Sequence, residues 1–511
     1  MSRIVAGTSG LPDSVDVLVV GLGVTGAGVA LDAASRGLSV AAVDAFDLAW
    51  GTSRWSSKLV HGGLRYLAAG KIGIAHESAV ERGILMEHTA PHLVHALPLL
   101  IPLTGSVSPA DEVVNRVGLF TADVLRRTAR TRRATLPRPR RLGVTETLAM
   151  APAIRRRGLR GALLTWDGQL EDDARLVVTL ARTAATHGAH VHTRSRVLEA
   201  TGTRAVLRDE RTGETREIGA RAVVSATGVW AAGLDPGIRL RPSLGTHLVV
   251  DGATLPRLQC AIATPVPGTA HEYVSLVPQP NGRIHVGLTD EEVPGPLPDV
   301  PEVPEHDIDF LLDMAVRALE HPLTRSDVVG AYAGLRPLLE AGGSTADLSR
   351  RHAVLTSTTG VVTIVGGKLT TYRRMAQDTV DHLVRTGSVS AGRCRTRRLP
   401  LLGAAGGKQP DMPDVPTRLV RRFGAEARAV LDDAVAVTGL PARELAREQD
   451  RVTLAELVFG VTHEGATTVE DLLDRRTRVG LVPAERAAAL PLAERALDLA
   501  ASADERGERF R

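Results

Sequence analysis

The chain has 511 residues, of which 43% are hydrophobic and 23% are charged. This composition is ordinary for a globular protein and excludes a disordered or collagen-like chain. The 62 basic and 58 acidic residues nearly balance, which argues against a nucleic-acid-binding protein. Cys260 and Cys394 are the two cysteines and lie far apart, which excludes a disulfide framework, a cysteine-based zinc site and a CxxC redox pair.

The beginning of the chain has the pattern of a nucleotide-binding βαβ unit. A strand is predicted over Val15–Val20, a helix over Val24–Arg36, and a second strand over Ser39–Val43 that ends at Asp44. A carboxylate at this strand end can accept hydrogen bonds from a ribose 2′-hydroxyl. The unit therefore predicts a dinucleotide-binding domain.

The turn between the first strand and the helix contains Gly21, Gly23 and Gly26 in G-x-G-x-x-G spacing. The first glycine permits the tight turn, the second lets the backbone approach a pyrophosphate, and the third lets helix and strand pack closely. The helix N-terminus offers free N–H groups to the phosphates. This motif alone leaves FAD and NAD open as the cofactor.

Later segments suggest that the nucleotide-binding domain is assembled from separated parts of the chain. The apolar strand Arg221–Ala226 runs into Thr227-Gly228, a turn found near the cofactor in many two-part flavoproteins. Another strand, Val361–Val365, precedes Gly366-Gly367 and a helix over Lys368–Thr386. Between these strands the sequence pattern predicts mostly short β-strands with turns, and beyond residue 416 it predicts helices.

The segment Ser56–Leu67 reads SSKLVHGGLRYL and resembles the signature of the FAD-dependent glycerol-3-phosphate dehydrogenases, which belong to the D-amino-acid-oxidase-like flavoproteins. Further segments resemble the family in the same order: Asp172–Val177, Ser225–Trp230, Gly245–Val250, Gly334–Leu338, Ser349-Arg350 and Gly366–Tyr372. The chain departs from the family at Leu288 and Val229, where threonine and proline are usual.

The resemblance implies an α/β fold, that of a two-part flavoprotein with a Rossmann-like FAD-binding domain, a β-rich substrate domain and a C-terminal helical domain. The FAD-binding domain is expected at residues 14–84, 165–240 and 331–398, the substrate domain at 85–164 and 241–330, and the helical domain at 399–511.

The implied reaction oxidises sn-glycerol 3-phosphate to dihydroxyacetone phosphate, with hydride transfer to FAD and reoxidation by a quinone-type acceptor. Two alternatives stay open. One is an oxidase of the same superfamily that uses O₂ or acts on a hydroxy or amino acid, and the other is a flavoprotein that has lost turnover and serves in binding or sensing. The first residues lack an apolar signal core and no run of about 18 apolar residues occurs. We therefore predict a cytoplasmic location, at most peripheral on the inner face of the cell membrane.

The resemblance also implies the substrate-binding residues. Arg65, Arg336, Arg350 and Lys368 are the matched cations, and Arg336 and Arg350 are favoured for the phosphate because a guanidinium can bind two oxygens. Tyr66 and Thr370 complete this set. His247 is favoured as the base that takes the hydroxyl proton, with His61 and Lys368 as the other candidates. The predicted catalytic residues are thus His247, Arg336 and Lys368.

The predicted FAD-binding residues come from the same matched segments. They are Gly21, Gly23, Gly26, Asp44, Ser56, Ser57, Lys58, His61, Gly62, Gly63, Leu64, Val197, Ala226, Gly228, Gly367, Lys368 and Leu369. Lys368 stands at a helix start, where it could stabilise negative charge on the reduced flavin or reach the substrate. No metal site is predicted.

Two basic segments have open interpretations. The run Arg126–Arg141 is interleaved with Leu125, Leu136 and Leu142, so it could meet an anionic lipid surface or form a solvated basic loop. The helical C-terminal part is predicted to support the other domains or to form a homodimer. Its residues Arg475, Arg476 and Arg478 could approach the mouth of the active site, but a solvated face is the favoured expectation.

Overall fold

A computed structural model describes residues 4–63, 71–104, 109–269, 272–293, 295–340, 351–405 and 411–505. Within these ranges the chain forms two large sheets and a helical C-terminal unit, each with its own apolar cluster. The predicted fold class is confirmed.

The first sheet has a parallel centre. Ser14–Val20 pairs in parallel with Val40–Val43 on one side and with Thr215–Ser225 on the other. Such strands are buried on both faces, which is why they read as continuous apolar runs rather than as alternating ones. The strands of this sheet are Val5–Ala6, Ser14–Val20, Val40–Val43, His190–Thr193, Ser195–Ala200, Arg204–Asp209, Thr215–Ser225, His352–Thr356 and Val362–Gly366.

Helices cover the first sheet. Val24–Ser35 packs against both Asp173–Thr186 and Tyr372–Arg385, and their apolar side chains share one cluster with the central strands. The cluster is rich in alanine and valine, as expected for a chain with only 3% aromatic residues. Thr215–Ser225 pairs in parallel with both Ser14–Val20 and Val362–Gly366. The glycine turns that follow these three strands therefore lie at the same edge of the sheet.

The second sheet is mainly antiparallel and carries the substrate half. Its strand Ser243–Asp251, next to the edge of the sheet, lies between Arg283–Gly287 and Val328–Arg336, which places His247 opposite Gly287 and Tyr332. The helix Glu305–Ala318 packs on one face. The strands of this sheet are Leu59–Val60, Val94–Pro102, Arg140–Leu142, Ala162–Leu170, Ser243–Asp251, Ala261–Pro265, Tyr273–Pro278, Arg283–Gly287, Glu291–Glu292 and Val328–Arg336.

Two crossings between the sheets differ from the expected domain boundaries. Ala162–Leu170 pairs along its whole length with Val94–Pro102, so the chain leaves the second sheet after residue 170 rather than at 165. Val328–Arg336 likewise stays in that sheet to its end, beyond the expected boundary at 331. The physical reason is that an apolar pattern predicts a strand but not the sheet in which the strand pairs.

The other helical segments lie outside the sheets. The α-helices are Ile72–Ile84, Pro109–Thr128, Val144–Met150, Thr417–Phe423, Ala427–Thr438, Ala442–Leu445, Leu454–Thr462 and Pro483–Glu505, with π-helical Leu85–Thr89 and Asp471–Arg476. The 3₁₀ segments are Thr52–Arg54, Gly228–Gly233, Gly252–Thr254, Arg325–Asp327, Leu369–Thr371, Gly424–Glu426 and Val479–Leu481. A small hairpin pairs Glu448–Gln449 with Val452–Thr453. None of the described helices is both long and apolar enough to cross a bilayer.

The expectation that Arg475, Arg476 and Arg478 form a solvated face is wrong. All three side chains are buried between the C-terminal helices and the first sheet. The carboxylate of Asp47 accepts hydrogen bonds from Arg475 Nε at 2.6 Å and from Arg476 at 2.8 Å. A bidentate pair of Arg182 with Glu426 joins the same two units at 2.7 and 2.6 Å. Arginines can be buried when carboxylates compensate their charge, and here some of these carboxylates come from a distant part of the chain.

Candidate active site

One cavity of about 1970 Å³ runs from the glycine turn of the first sheet to the central strands of the second. It brings together most of the predicted site residues that the structure describes. These lining residues are Gly21, Gly23, Asp44, Ser56, Ser57, His61, Gly63, Val197, Ala226, Gly228, His247, Arg336, Gly367, Lys368, Leu369 and Thr370. The cavity therefore connects the predicted cofactor and substrate halves.

The glycine turn has the geometry that a dinucleotide requires. Gly21 has φ +99°, a conformation that L-residues with a side chain rarely adopt. A Cβ on Gly26 would overlap the carbonyl oxygen of Gly21, so the helix approaches the strand too closely for any side chain. Gly23 precedes the helix, and the N–H of Val24 donates to Ser53 Oγ at 2.9 Å.

Asp44 lies beside this turn, as predicted for the ribose-binding carboxylate. Its oxygens accept hydrogen bonds from the N–H groups of Leu22 at 2.6 Å and Phe46 at 2.9 Å. Burial raises the pKa of Asp44 to about 6, although the two backbone hydrogen bonds oppose the shift. The turn with its three glycines, the helix N-terminus and this carboxylate together fit the adenosine diphosphate part of FAD.

His247 lies on the cavity wall with a buried ring. Its Nε2 shares a hydrogen bond of 2.9 Å with Ser57 Oγ, and the ring stacks on Tyr332 with 4.8 Å between centroids. Burial, Lys58 and Arg336 hold its pKa well below the usual range. His247 is therefore a neutral imidazole in this site, and adding a proton to it is unfavourable.

His61 has different surroundings. Its Nδ1 lies 3.3 Å from Asp167 Oδ2, and 55% of its side chain is exposed. Asp167 also accepts hydrogen bonds from Arg82 at 2.7 Å and from the N–H of Gly62 at 2.9 Å. Burial opposes ionisation of Asp167, but Arg82 and His61 lower its pKa to about 2, so the carboxylate is charged. A charged carboxylate beside Nδ1 fixes the orientation of the imidazole and lies where it can compensate positive charge.

Arg336 is held firmly before any ligand binds. Its terminal nitrogens donate to Ser243 Oγ at 2.7 Å, to Asp290 at 3.1 Å and to the carbonyl oxygen of Thr289 at 2.9 Å. A Cβ on Gly245 would overlap this guanidinium, so glycine on the neighbouring strand leaves the space that the guanidinium occupies. Because its orientation is fixed, the planar guanidinium can present its N–H donors to an anion in a defined direction.

Lys368 lies at the start of the 3₁₀ segment Leu369–Thr371, on the same cavity wall. Its Nζ donates to Ser78 Oγ, which belongs to the helix Ile72–Ile84. Thr370 is buried beside it and also lines the cavity. Lys368 is thus a second cation on the cavity wall, besides Arg336.

Three predicted cofactor residues lie behind the cavity wall rather than on it. Gly26 packs against Gly21, and Gly62 packs against the Arg82 guanidinium. Lys58 is buried, and its Nζ donates to Asp173 Oδ2 at 2.9 Å. Burial and the neighbouring Arg478 lower the pKa of Lys58 to about 8, although Asp173 opposes this shift.

Four predicted residues lie outside the described part of the chain. These are Leu64, Arg65, Tyr66 and Arg350. Their assignments stay predictions.

Sequence reasoning missed several groups that shape the site. Asp167 and Asp173 each anchor a segment that carries predicted residues, and Tyr332 packs under His247 while its hydroxyl donates to the carbonyl oxygen of Ser56 at 2.9 Å. Asp172-Asp173 lies in a segment that resembles the family, but the sequence gives no role to either carboxylate. No local signal marks Tyr332, because its role depends on strand pairing with Ser243–Asp251.

Comparison with known proteins agrees with this architecture. Residues 16–373 match the family described as FAD dependent oxidoreductase, and residues 394–504 match the C-terminal domain of alpha-glycerophosphate oxidase. The chain is 51% identical over 481 residues to glycerol-3-phosphate dehydrogenase 1 of Mycobacterium tuberculosis, with 93% of each chain covered. It is 32% identical over 538 residues to the mitochondrial glycerol-3-phosphate dehydrogenase SDP6 of Arabidopsis thaliana, covering 95% of this chain and 82% of that relative.

A solved structure is also similar over almost the whole chain. It is the glycerol-3-phosphate dehydrogenase from Bacillus halodurans complexed with FAD, with a TM-score of 0.71 and 27% identity. The likeness covers 97% of this chain and 94% of that one.

Proposed function

The chain belongs to the family of FAD-dependent glycerol-3-phosphate dehydrogenases, and we propose that it oxidises sn-glycerol 3-phosphate to dihydroxyacetone phosphate and passes the electrons to a quinone-type acceptor. The predicted cofactor FAD and the predicted enzyme class are confirmed by the family match and the relatives. The reaction details and the acceptor are the proposed part.

The observation that carries the proposal is the single cavity that joins the glycine turn to Arg336, Lys368 and His61. A phosphate monoester requires cations, and the secondary hydroxyl requires a proton acceptor. FAD, when bound, supplies the acceptor for the hydride that leaves C2. Asp290 offsets part of the charge of Arg336, so Lys368 is needed as a second cation for a phosphate dianion.

The surroundings of the two histidines favour His61 as the proton acceptor. The proton of the C2 hydroxyl would create an imidazolium, which Asp167 compensates at His61. At His247 the imidazolium would be buried near Lys58 and Arg336, and its Nε2 is already engaged by Ser57. We assign His247 the role of a neutral hydrogen-bonding residue on the cavity wall. His247 stays the alternative base, and the experiment that separates the two is argued in the Discussion.

The substrate is tested by mixing the FAD-loaded protein with sn-glycerol 3-phosphate without oxygen and following the flavin absorbance. We expect rapid bleaching with this compound and none with glycerol or sn-glycerol 1-phosphate, because the cations require a phosphate and the site is chiral. Absence of bleaching in a protein that holds FAD would overturn the substrate and turn attention to hydroxy and amino acids.

The acceptor is tested by the reoxidation of the reduced enzyme. We expect a short-chain quinone to restore the flavin absorbance much faster than O₂ does. Faster reoxidation by O₂, with formation of hydrogen peroxide, would establish the oxidase alternative instead.

We also propose that the basic run Arg126–Arg141 and the helix before it bind an anionic membrane surface. Leu125, Leu136 and Leu142 are buried, so these leucines do not face lipid. Apolar groups that do face solvent lie nearby on the helix Pro109–Thr128, where Phe120 is 73% exposed and Val124 is also exposed. The exposed arginines that follow this helix add the positive charge, each worth about 1 kcal/mol near such a surface.

Flotation with phosphatidylglycerol vesicles tests this binding. The wild-type protein should float at low salt and largely dissociate at high salt, because the attraction to the lipid is screened. The double variant Phe120→Ser and Val124→Ser should float less, since it removes the apolar contact. Phe310→Ser is the matched control, an exposed phenylalanine on the separate helix Glu305–Ala318, and should float like wild type. A wild-type protein that stays unbound at low salt contradicts the proposal.

A further inference from the structure

The turn Trp55–Lys58 connects the two predicted halves of the site, and a residue of the C-terminal unit holds it from behind. Arg478 is only 7% exposed. Its guanidinium donates to the carbonyl oxygen of Arg54 and, through Nη1, to that of Asp474 at 2.7 Å. It also lies over the indole of Trp55, 5.3 Å from the ring centroid.

The same guanidinium approaches the carboxylate that anchors the turn. Arg478 Nε lies 3.7 Å from Asp173 Oδ1. The other oxygen of Asp173 accepts hydrogen bonds from the N–H of Ser56 at 3.0 Å, from Ser56 Oγ at 2.7 Å and from Lys58 Nζ at 2.9 Å. Asp173 is fully buried, and both Lys58 and Arg478 lie beside its carboxylate.

Both cations next to Asp173 have a disfavoured backbone conformation. Arg478 has φ +67° and Lys58 has φ +57°, a region in which L-residues with a side chain are uncommon. Such conformations persist only where the surrounding structure fixes them, and they concentrate at functional sites. Two such residues lie next to one carboxylate, that of Asp173. The contacts around this carboxylate therefore hold both residues in a conformation that they would not adopt on their own.

The turn carries groups that face the cavity. Ser57 Oγ shares the hydrogen bond with His247 Nε2, and the strand Leu59–Val60 leads directly to His61. A shift of the turn would therefore displace Ser57 and His61 relative to His247. We propose that Arg478 is a positioning residue: through the Arg54 carbonyl and Asp173 it fixes the Trp55–Lys58 turn, so that the C-terminal unit completes the active site.

The test compares Arg478→Gly with Arg451→Gly in the full-length, FAD-loaded protein. Glycine keeps the left-handed backbone at either position and removes only the side chain. Arg451 is the matched control because it belongs to the same unit, has φ +63° and contacts Glu485 and the Asn281 carbonyl away from the cavity. The readouts are kcat and KM for sn-glycerol 3-phosphate, the visible circular dichroism of the bound flavin, and tryptophan fluorescence.

We expect Arg478→Gly to lower kcat by about 10- to 100-fold, with a smaller change of KM, because misplaced groups lose orientation rather than binding. The flavin dichroism and the Trp55 contribution to fluorescence should change as well. Arg451→Gly should match wild type in all of these. Arg478→Lys, which keeps a cationic donor, should recover part of the lost rate.

Wild-type kcat and wild-type spectra in Arg478→Gly would overturn the proposal. If Arg478→Gly does not fold, Arg478→Met, which removes the cationic donor but keeps an apolar side chain, carries the test, and wild-type kinetics and spectra in that variant would overturn it. The kinetic part rests on the proposed function, whereas the spectra do not. An unreactive wild-type enzyme with altered spectra in Arg478→Gly would reject the substrate and keep the positioning role.

Discussion

Replacing His61 by asparagine is expected to slow the reduction of the bound flavin by sn-glycerol 3-phosphate by about 10²- to 10⁴-fold, the usual contribution of a positioned base. Asparagine retains a polar group toward Asp167 but cannot take up the hydroxyl proton. More than half of the His61 side chain is exposed, so the variant should fold and keep its FAD. Anaerobic stopped-flow absorbance measures the rate, and the ratio of flavin to protein absorbance measures the cofactor content.

His247→Asn is the matched comparison, since it makes the same substitution on the opposite part of the wall. We expect a smaller loss of rate, because the pKa of His247 is held well below its usual range and Ser57 occupies its Nε2. A near-normal rate in His61→Asn together with a collapse in His247→Asn would assign the base to His247. Equal losses in both variants would show that the two histidines act together, coupled through the turn that contains Ser57.

Replacing Gly26 by alanine is expected to abolish FAD binding. The added Cβ would overlap the carbonyl oxygen of Gly21, which is backbone and cannot move aside without opening the glycine turn. We also expect a loss of about 1 to 3 kcal/mol in the free energy of unfolding, as in other overpacked sites. Flavin absorbance after purification in excess FAD measures the binding, and thermal unfolding of the apoprotein measures the stability.

Gly118→Ala is the control for this substitution, because Gly118 is also helical and its Cβ would meet no described atom within 4 Å. It should keep FAD and be neutral or slightly stabilising, since alanine is the better helix former. Full FAD content in Gly26→Ala would show that the close approach of helix and strand is not required for binding.

The sequence predicted the βαβ unit at the start of the first sheet well because its signals are local. The glycine spacing, the apolar strands and Asp44 lie within a short stretch of chain, and backbone geometry follows from residue type there. The pairing of the strands that end at residues 170 and 336 needed the structure, because strand patterns do not state which sheet a strand joins.

The partners of the charged groups were beyond the reach of sequence reasoning. The ring of His61 meets Asp167 across 106 residues, and Arg475 meets Asp47 across 428. Arginine-rich segments near the end of the chain read as solvated faces, since nothing local indicates the carboxylates that allow their burial.

By itself the sequence determined the glycine turn, the family and the βαβ unit at the start of the chain, because these depend on residue type and short spacing. Only the tertiary structure decided which histidine has a carboxylate beside it, which one is buried and neutral, and that Arg478 reaches the turn at Ser56. Burial and charge compensation set these roles, and both depend on side chains that folding brings together from distant parts of the chain.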